Sequence, residues 1–289
     1  MTNILLTGAN GQLGSEIRAL HENYPQYKFL FTCKEDLDIT NQEAILSTCK
    51  ANQITHIINC AAYTAVDKAQ SEPEIAEAIN HQGVRNLALT CKALDISLVH
   101  ISTDYVFDGQ HYKPYTPEDT PNPHTVYGQT KLAGESAIAK IAPQNTLIIR
   151  TSWVYSSFGN NFVKTMLRLG KERESLGVVY DQVGAPTYAN DLAKAILDII
   201  PKIQNTSPKI YHYSNEGVLS WYDFAKEIMR MAKLKCKINP ILTSDYPTPA
   251  SRPHYSLLDK TEFKSDFNLT IPYWKDSLDA CLKKLGERK

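Results

Sequence analysis

The feature that most constrains this chain is Gly8-Ala-Asn-Gly11-Gln-Leu-Gly14. It follows a short apolar run, Asn3 to Thr7, and the apolar positions Leu13, Ile17 and Leu20 then recur at helical spacing. A strand is therefore expected to turn sharply into a helix at these glycines. Gly8 permits the tight turn, Gly11 lets backbone approach a phosphate, and Gly14 lets helix pack closely on strand. The exposed amides and positive dipole end of such a helix suit a pyrophosphate. The spacing is Gly-x-x-Gly-x-x-Gly rather than Gly-x-Gly-x-x-Gly, and a glycine-rich turn alone often only reverses the chain. Its place at the first strand-to-helix turn of an alternating pattern favours dinucleotide binding.

The alternation continues through strand-like Lys28 to Cys33, helix-like Asn41 to Ala51, strand-like His56 to Cys60 and a long helical stretch, Glu74 to Ala93. Strand-like Ser97 to Ser102, helical Val126 to Ala142 and the apolar run Thr146 to Thr151 follow. Apolar strands alternating with helices imply right-handed crossovers and a doubly wound parallel sheet covered on both faces, an α/β fold of Rossmann type. Beyond Ser152 the pattern weakens, and prolines and aromatics crowd Ser207 to Pro253. The expected organisation is a nucleotide-binding domain over 1–152 and a smaller, mainly substrate-binding lobe over 153–289, with residues near 190–200 packing back on the first domain.

Lys and Arg number 31 against 31 Asp and Glu, so net charge gives no reason to expect nucleic acid or an anionic membrane as partner; a small ligand is expected. The six cysteines, at 33, 49, 60, 91, 236 and 281, form no Cys-x-x-Cys pair and read as reduced, apolar packing residues of a cytoplasmic protein. Met1 to Leu6 runs straight into the first strand without a leader, and no stretch reaches the ~18 apolar residues of a membrane span. The eight histidines show no metal-ligand spacing, and no Gly-x-Ser-x-Gly elbow marks a hydrolase.

Tyr127 and Lys131 lie four residues apart on one face of an expected helix, a pair that any helix can contain. Thr103, at the carboxyl end of a strand where open parallel sheets hold their ligands, gives them a third partner. Together they suit a carbonyl that accepts hydride and needs a proton as charge grows on oxygen. A free tyrosine has a pKa of about 10, and lowering it by about three units means favouring the phenolate by roughly 4 kcal/mol. One ammonium about 4 Å away at an effective dielectric of about 20 supplies that order of energy. Tyr127 is thus expected to be general acid, Lys131 to depress its pKa and hold ribose, and Thr103 to hydrogen-bond the carbonyl. At the end of the second strand Thr32, Cys33 and Lys34 replace the acidic residue that would recognise a ribose 2'-hydroxyl, so NADPH and NADH both stay open. Lys34 suits a 2'-phosphate about as well as it suits a solvated loop.

These segments, with Asp36-Leu-Asp38-Ile-Thr40, Asn59 to Pro73, Ser102 to Gly109, Tyr127 to Glu135, Arg150 to Tyr155 and Gly159 to Phe162, resemble the extended short-chain dehydrogenase/reductases. Within them the chain is similar to the dTDP-4-dehydrorhamnose reductase family over nearly its whole length. The resemblance implies reduction of a 4-keto deoxysugar nucleotide for a cell-surface polysaccharide. It makes Gln12 and Leu13 cofactor contacts in the turn, Asp38 and Ile39 the adenine pocket, and Ala61, Ala62 and Thr64 further cofactor contacts. Thr103 and Asp104 become sugar contacts, Trp153 a wall of the substrate site and Arg252, in an Arg-Pro segment, the ligand of the diphosphate. Lys164 and Arg168 read rather as a solvated helix face, and Asp181 to Thr187 as a segment shaping the lobe. Some relatives dimerise through magnesium held by glutamates; Glu16 stands at such a position, but Asn190 stands where an acid would be wanted. Monomer and homodimer are both open. The rival readings are another nucleotide-sugar reductase or epimerase, and an idle dinucleotide-binding regulatory subunit similar to the partner of methionine adenosyltransferase.

Overall fold

The computed structural model describes residues 2–288, so Met1 and Lys289, the outer bounds of the two expected domains, lie outside the described residues. The first half alternates as β1 (Thr2–Thr7), α1 (Gln12–Leu20), β2 (Tyr27–Thr32), α2 (Gln42–Ala51), β3 (His56–Asn59), α3 (Val84–Leu94), β4 (Ser97–Thr103), α4 (Val126–Ile141) and β5 (Thr146–Thr151). The second half contributes α5 (Phe162–Glu172), α6 (Ala189–Ile199), β6 (Lys209–Tyr213), α7 (Trp221–Met231) and α8 (Trp274–Lys284).

All six strands run parallel in the order β2-β1-β3-β4-β5-β6. The order reverses between β1 and β3, which opens a crevice at the carboxyl ends of the strands. Period-two alternation sends Ile4, Leu6, Ile58, Val99 and Ile149 to one face, against α1 and α6. Leu5, Ile57, Leu98 and Ile148 go to the other face, against residues of α2, α3 and α4 such as Ile45, Leu87 and Ile138. Burial on both faces explains why these strands read as continuous apolar runs.

The sequence reading returned only the stretch near 190–200 to the sheet; the structure returns more. β6 pairs with β5, and its Tyr211 and Tyr213 pack on Phe263 and Phe267 in the core shared with α1 and α6. Aromatic strand residues in a proline-rich region masked that strand. The lobe itself has a separate core built by α5, α7 and α8 around Val163, Leu167, Phe224, Ile228, Trp274 and Leu278. The long helix expected over Glu74 to Ala93 is interrupted: Pro73–Glu77 passes through a π-helical turn, Ala78–Gly83, before α3. Such turns often serve functional sites. No described helix is long and apolar enough to cross a membrane.

Candidate active site

Gly8 sits at φ +67°, and a Cβ there would lie 2.6 Å from the Ala61 nitrogen. At Gly14 it would lie 2.4 Å from the Gly8 carbonyl oxygen, so only glycine lets the turn close on both the β3 end and its own strand. Gly11 caps α1 without any side-chain hydrogen bond, which leaves the first amides of the helix free for an anion. A cradle of this shape and charge fits the pyrophosphate of a dinucleotide. Leu13 points into the sheet core, so only its backbone could meet a cofactor. Gln12 faces the lobe instead, accepting from Asn161 at the start of α5 at 3.0 Å.

The small-residue segment after β3 is held by Asn80, a side chain that the sequence reading missed. Its Oδ1 accepts from the Tyr63 amide at 2.9 Å, and its Nδ2 donates to the Tyr63 carbonyl at 3.1 Å and to Thr130 Oγ1 on α4 at 3.2 Å. The π-turn thus aims one buried asparagine at both the candidate cofactor loop and the catalytic helix. Ala61 and Ala62 are half-buried along this segment and Thr64 is exposed. At the expected adenine end, Asp38 turns back to accept from Thr40 N and Oγ1, at 2.9 and 2.8 Å. Ile39 is buried and packs on Gly83, where a Cβ would come within 2.6 Å of it. Lys34 is exposed and makes no ion pair with any described residue.

Tyr127 opens α4, capped by the Thr125 side chain on the Gly128 amide at 3.1 Å. Gly128 is required, because a Cβ would fall 2.2 Å from the Tyr105 carbonyl oxygen. The phenol is buried, and its ring meets Tyr105 edge-on at 5.5 Å. Burial pushes its pKa up to about 12; the Thr103 hydroxyl pulls it down and the Asp104 charge opposes that pull. This corrects the expected depression by Lys131. The Lys131 ammonium is buried and donates to the Ile101 carbonyl at 2.6 Å, and burial lowers its own pKa to about 8. Thr103 Oγ1 accepts from the Tyr105 amide at 3.2 Å and donates to Asp104 Oδ1 at 3.1 Å.

Asp104 is buried with Oδ2 lacking any hydrogen-bond partner, and burial raises its pKa to about 7. A buried acceptor beside Thr103 thus keeps capacity for one more donor. Trp153 adopts φ +49°, uncommon for an aromatic residue, and its ring stacks on Trp221 at 3.7 Å. Gly184 makes room for it: a Cβ there would lie 3.0 Å from the indole. The segment Asp181 to Thr187 therefore seats the tryptophan. Arg252 is paired with Asp67 Oδ2 at 2.7 Å and donates to the Ala250 carbonyl at 2.8 Å. Arg168 pairs with Glu172 on the exposed face of α5, and Lys164 reaches only the Ser157 carbonyl, at 3.4 Å.

Glu16 does not serve a metal here. It is fully buried, with Oε2 2.7 Å from Lys284 Nζ and 3.0 Å from Asn190 Nδ2, and Oε1 2.6 Å from Ser156 Oγ. A lysine already neutralises the carboxylate. No group of three or more metal-binding side chains occurs among the described residues.

Residues 1–287 match the family described as RmlD substrate binding domain. The chain is 40% identical to a dTDP-4-dehydrorhamnose reductase of Aggregatibacter actinomycetemcomitans, covering 96% of this chain and 97% of that one. It is 41% identical to the dTDP-4-dehydrorhamnose reductase of Escherichia coli K12, with 98% of each covered. A dTDP-4-dehydrorhamnose reductase from Bacillus anthracis, solved in complex with NADP, is 39% identical and superposes with a TM-score of 0.92, over 98% of this chain and 100% of that one.

Proposed function

The chain belongs to the dTDP-4-dehydrorhamnose reductase family, and from that premise we propose that Tyr127 protonates the 4-keto oxygen of dTDP-4-dehydro-6-deoxy-L-mannose as it is reduced to dTDP-L-rhamnose. The observation that carries this reading is the placement of Thr103, Asp104 and Tyr127 together at the carboxyl end of β4, in the sheet that the glycine loop also edges. The cofactor is a nicotinamide dinucleotide, which supplies the hydride when bound. The uncapped α1 amides would hold its pyrophosphate. Lys34 and the lack of an acid at Thr32 to Lys34, where β2 ends, support NADPH over NADH, the 2'-phosphate taking the exposed ammonium.

Thr103 and Tyr127 would both donate to the substrate carbonyl, so that charge growing on its oxygen meets two aligned donors. A phenol at about 12 stays fully protonated at neutral pH. The alkoxide formed on the sugar is close to hydroxide in basicity, whose parent acid is near about 15.7, so proton transfer from Tyr127 is downhill without any prior depression. Lys131 then stabilises the phenolate left behind rather than preparing it. Asp104 Oδ2 would take a neighbouring sugar hydroxyl, Trp153 would wall the sugar, and Arg252, pre-oriented by Asp67, would meet the diphosphate. The test is loss of reduced-nicotinamide absorbance with the 4-keto sugar nucleotide made in situ, run with NADPH and with NADH. Oxidation faster with NADPH is expected; no oxidation with either, alongside tight binding to a partner protein, would favour a regulatory subunit.

A further inference from the structure

Behind Lys131 a buried file of side chains crosses three strands: Thr7 on β1, Asn59 on β3 and His100 on β4. Thr7 Oγ1 donates to Asn59 Oδ1 at 2.6 Å, and the Ala61 backbone N–H donates to the same atom at 3.1 Å. A backbone N–H can only donate, so this end of the amide is its oxygen. The other end, 2.9 Å from His100 Nδ1, is therefore the NH2 group. It too can only donate, which makes Nδ1 the acceptor of the ring. With Nδ1 an acceptor the imidazole is neutral, and burial holds its pKa well below the usual value. Its one proton then sits on Nε2, which faces Lys131 Nζ at 3.4 Å.

An ammonium has no lone pair with which to receive that N–H, whereas a neutral amine has one. We propose that His100, its tautomer fixed by Asn59, is a positioning residue for the reductase site that steers Lys131 onto the Ile101 carbonyl and biases it towards the neutral amine. Glu135 on its own helix and Cys60 after β3 act the other way and favour the charge, while Tyr127 lies one turn earlier on α4. Burial outweighs those two neighbours and lowers the Lys131 pKa to about 8, below that of Tyr127. The proposal rests on the reductase reading for its purpose, but its geometry can be tested without turnover.

Ring-nitrogen NMR of the full chain with 15N-labelled histidine tests it directly, with the His100 signals assigned by their loss in His100→Phe. The expected result is a neutral Nε2–H ring from about pH 5 to 9, with its Nε2 shift stepping once near pH 8 as Lys131 titrates and staying flat in Lys131→Met. An Nδ1–H ring, an imidazolium, or an unchanged step in Lys131→Met would overturn it. In Asn59→Asp the carboxylate accepts from Nδ1–H and reverses the tautomer, and the basic limb of kcat/KM is expected to rise by about one pH unit. A reversed tautomer with an unmoved limb would overturn the bias on Lys131. Absent turnover in the unmodified protein would instead sink the reductase reading and leave the NMR result to judge the tautomer.

Discussion

Lys284 on the last helix places its ammonium 2.7 Å from the carboxylate of Glu16 on the first, which is fully buried. The last helix, α8, is thereby fastened to α1, the helix that follows the glycine loop, and the Lys284 ammonium neutralises the buried acid. Chelation with EDTA should therefore leave both turnover and melting temperature unchanged. Lys284→Ala should lower stability by about 2 kcal/mol, because Glu16 then keeps only neutral donors, from Ser156, Ser157 and Asn190. Loss of activity on chelation, restored by magnesium, would contradict this.

Arg150 on β5 and Glu135 on α4 form a bidentate pair, at 2.7 Å between Nη2 and Oε2 and 3.0 Å between Nε and Oε1, with both side chains buried. Arg150→Met should cost about 3–5 kcal/mol by leaving the carboxylate uncompensated. The double change Glu135→Leu with Arg150→Met should recover most of that loss in denaturant unfolding. A double variant as unstable as the single one would show that the pair contributes more than its burial costs.

Asp104 gives a pH dependence with a definite sign. Its pKa rises from near 3.8 to about 7 on folding because burial disfavours the charge. The folded chain then binds the proton more tightly than the unfolded one, so stability falls as pH rises from about 4 to about 7 and stays at the lower level above that. Asp104→Asn removes this penalty and should raise stability at pH 8 by up to about 4 kcal/mol, with little change at pH 4. Equal effects at both pH values would show that the carboxyl is not held protonated.

Lys34 supplies the cofactor prediction. Lys34→Ala should raise the KM for NADPH roughly 5-fold and leave that for NADH unchanged, since one exposed charge pair is lost. An equal rise for both cofactors would place the lysine away from the 2'-phosphate.

The parallel sheet was legible because β3, β4 and β5 are short continuous apolar runs bounded by turns, and α1 and α4 carry clear helical periodicity. β6 was not, since Tyr211 and Tyr213 alternate inside a stretch of prolines and aromatics that hides the strand. Gly8, Gly14 and Thr103 could be placed from spacing alone, because their backbone roles follow from their position at strand ends. Asn80, Asn59 and His100 carry no such pattern: each is a buried polar residue with partners on other elements 17 to 52 residues away. The pKa of Tyr127 also escaped, because sequence spacing puts Lys131 on the same helix face but says nothing of how completely the phenol is buried.

Tyr127→Phe tests the central claim most directly. It deletes one buried hydroxyl while keeping the ring that packs against Tyr105. Reduction of the 4-keto sugar nucleotide by NADPH should fall by about 10²–10⁴-fold, with dinucleotide affinity and melting temperature nearly unchanged. Turnover within a few-fold of the unmodified protein would contradict the assignment of Tyr127 as the proton donor.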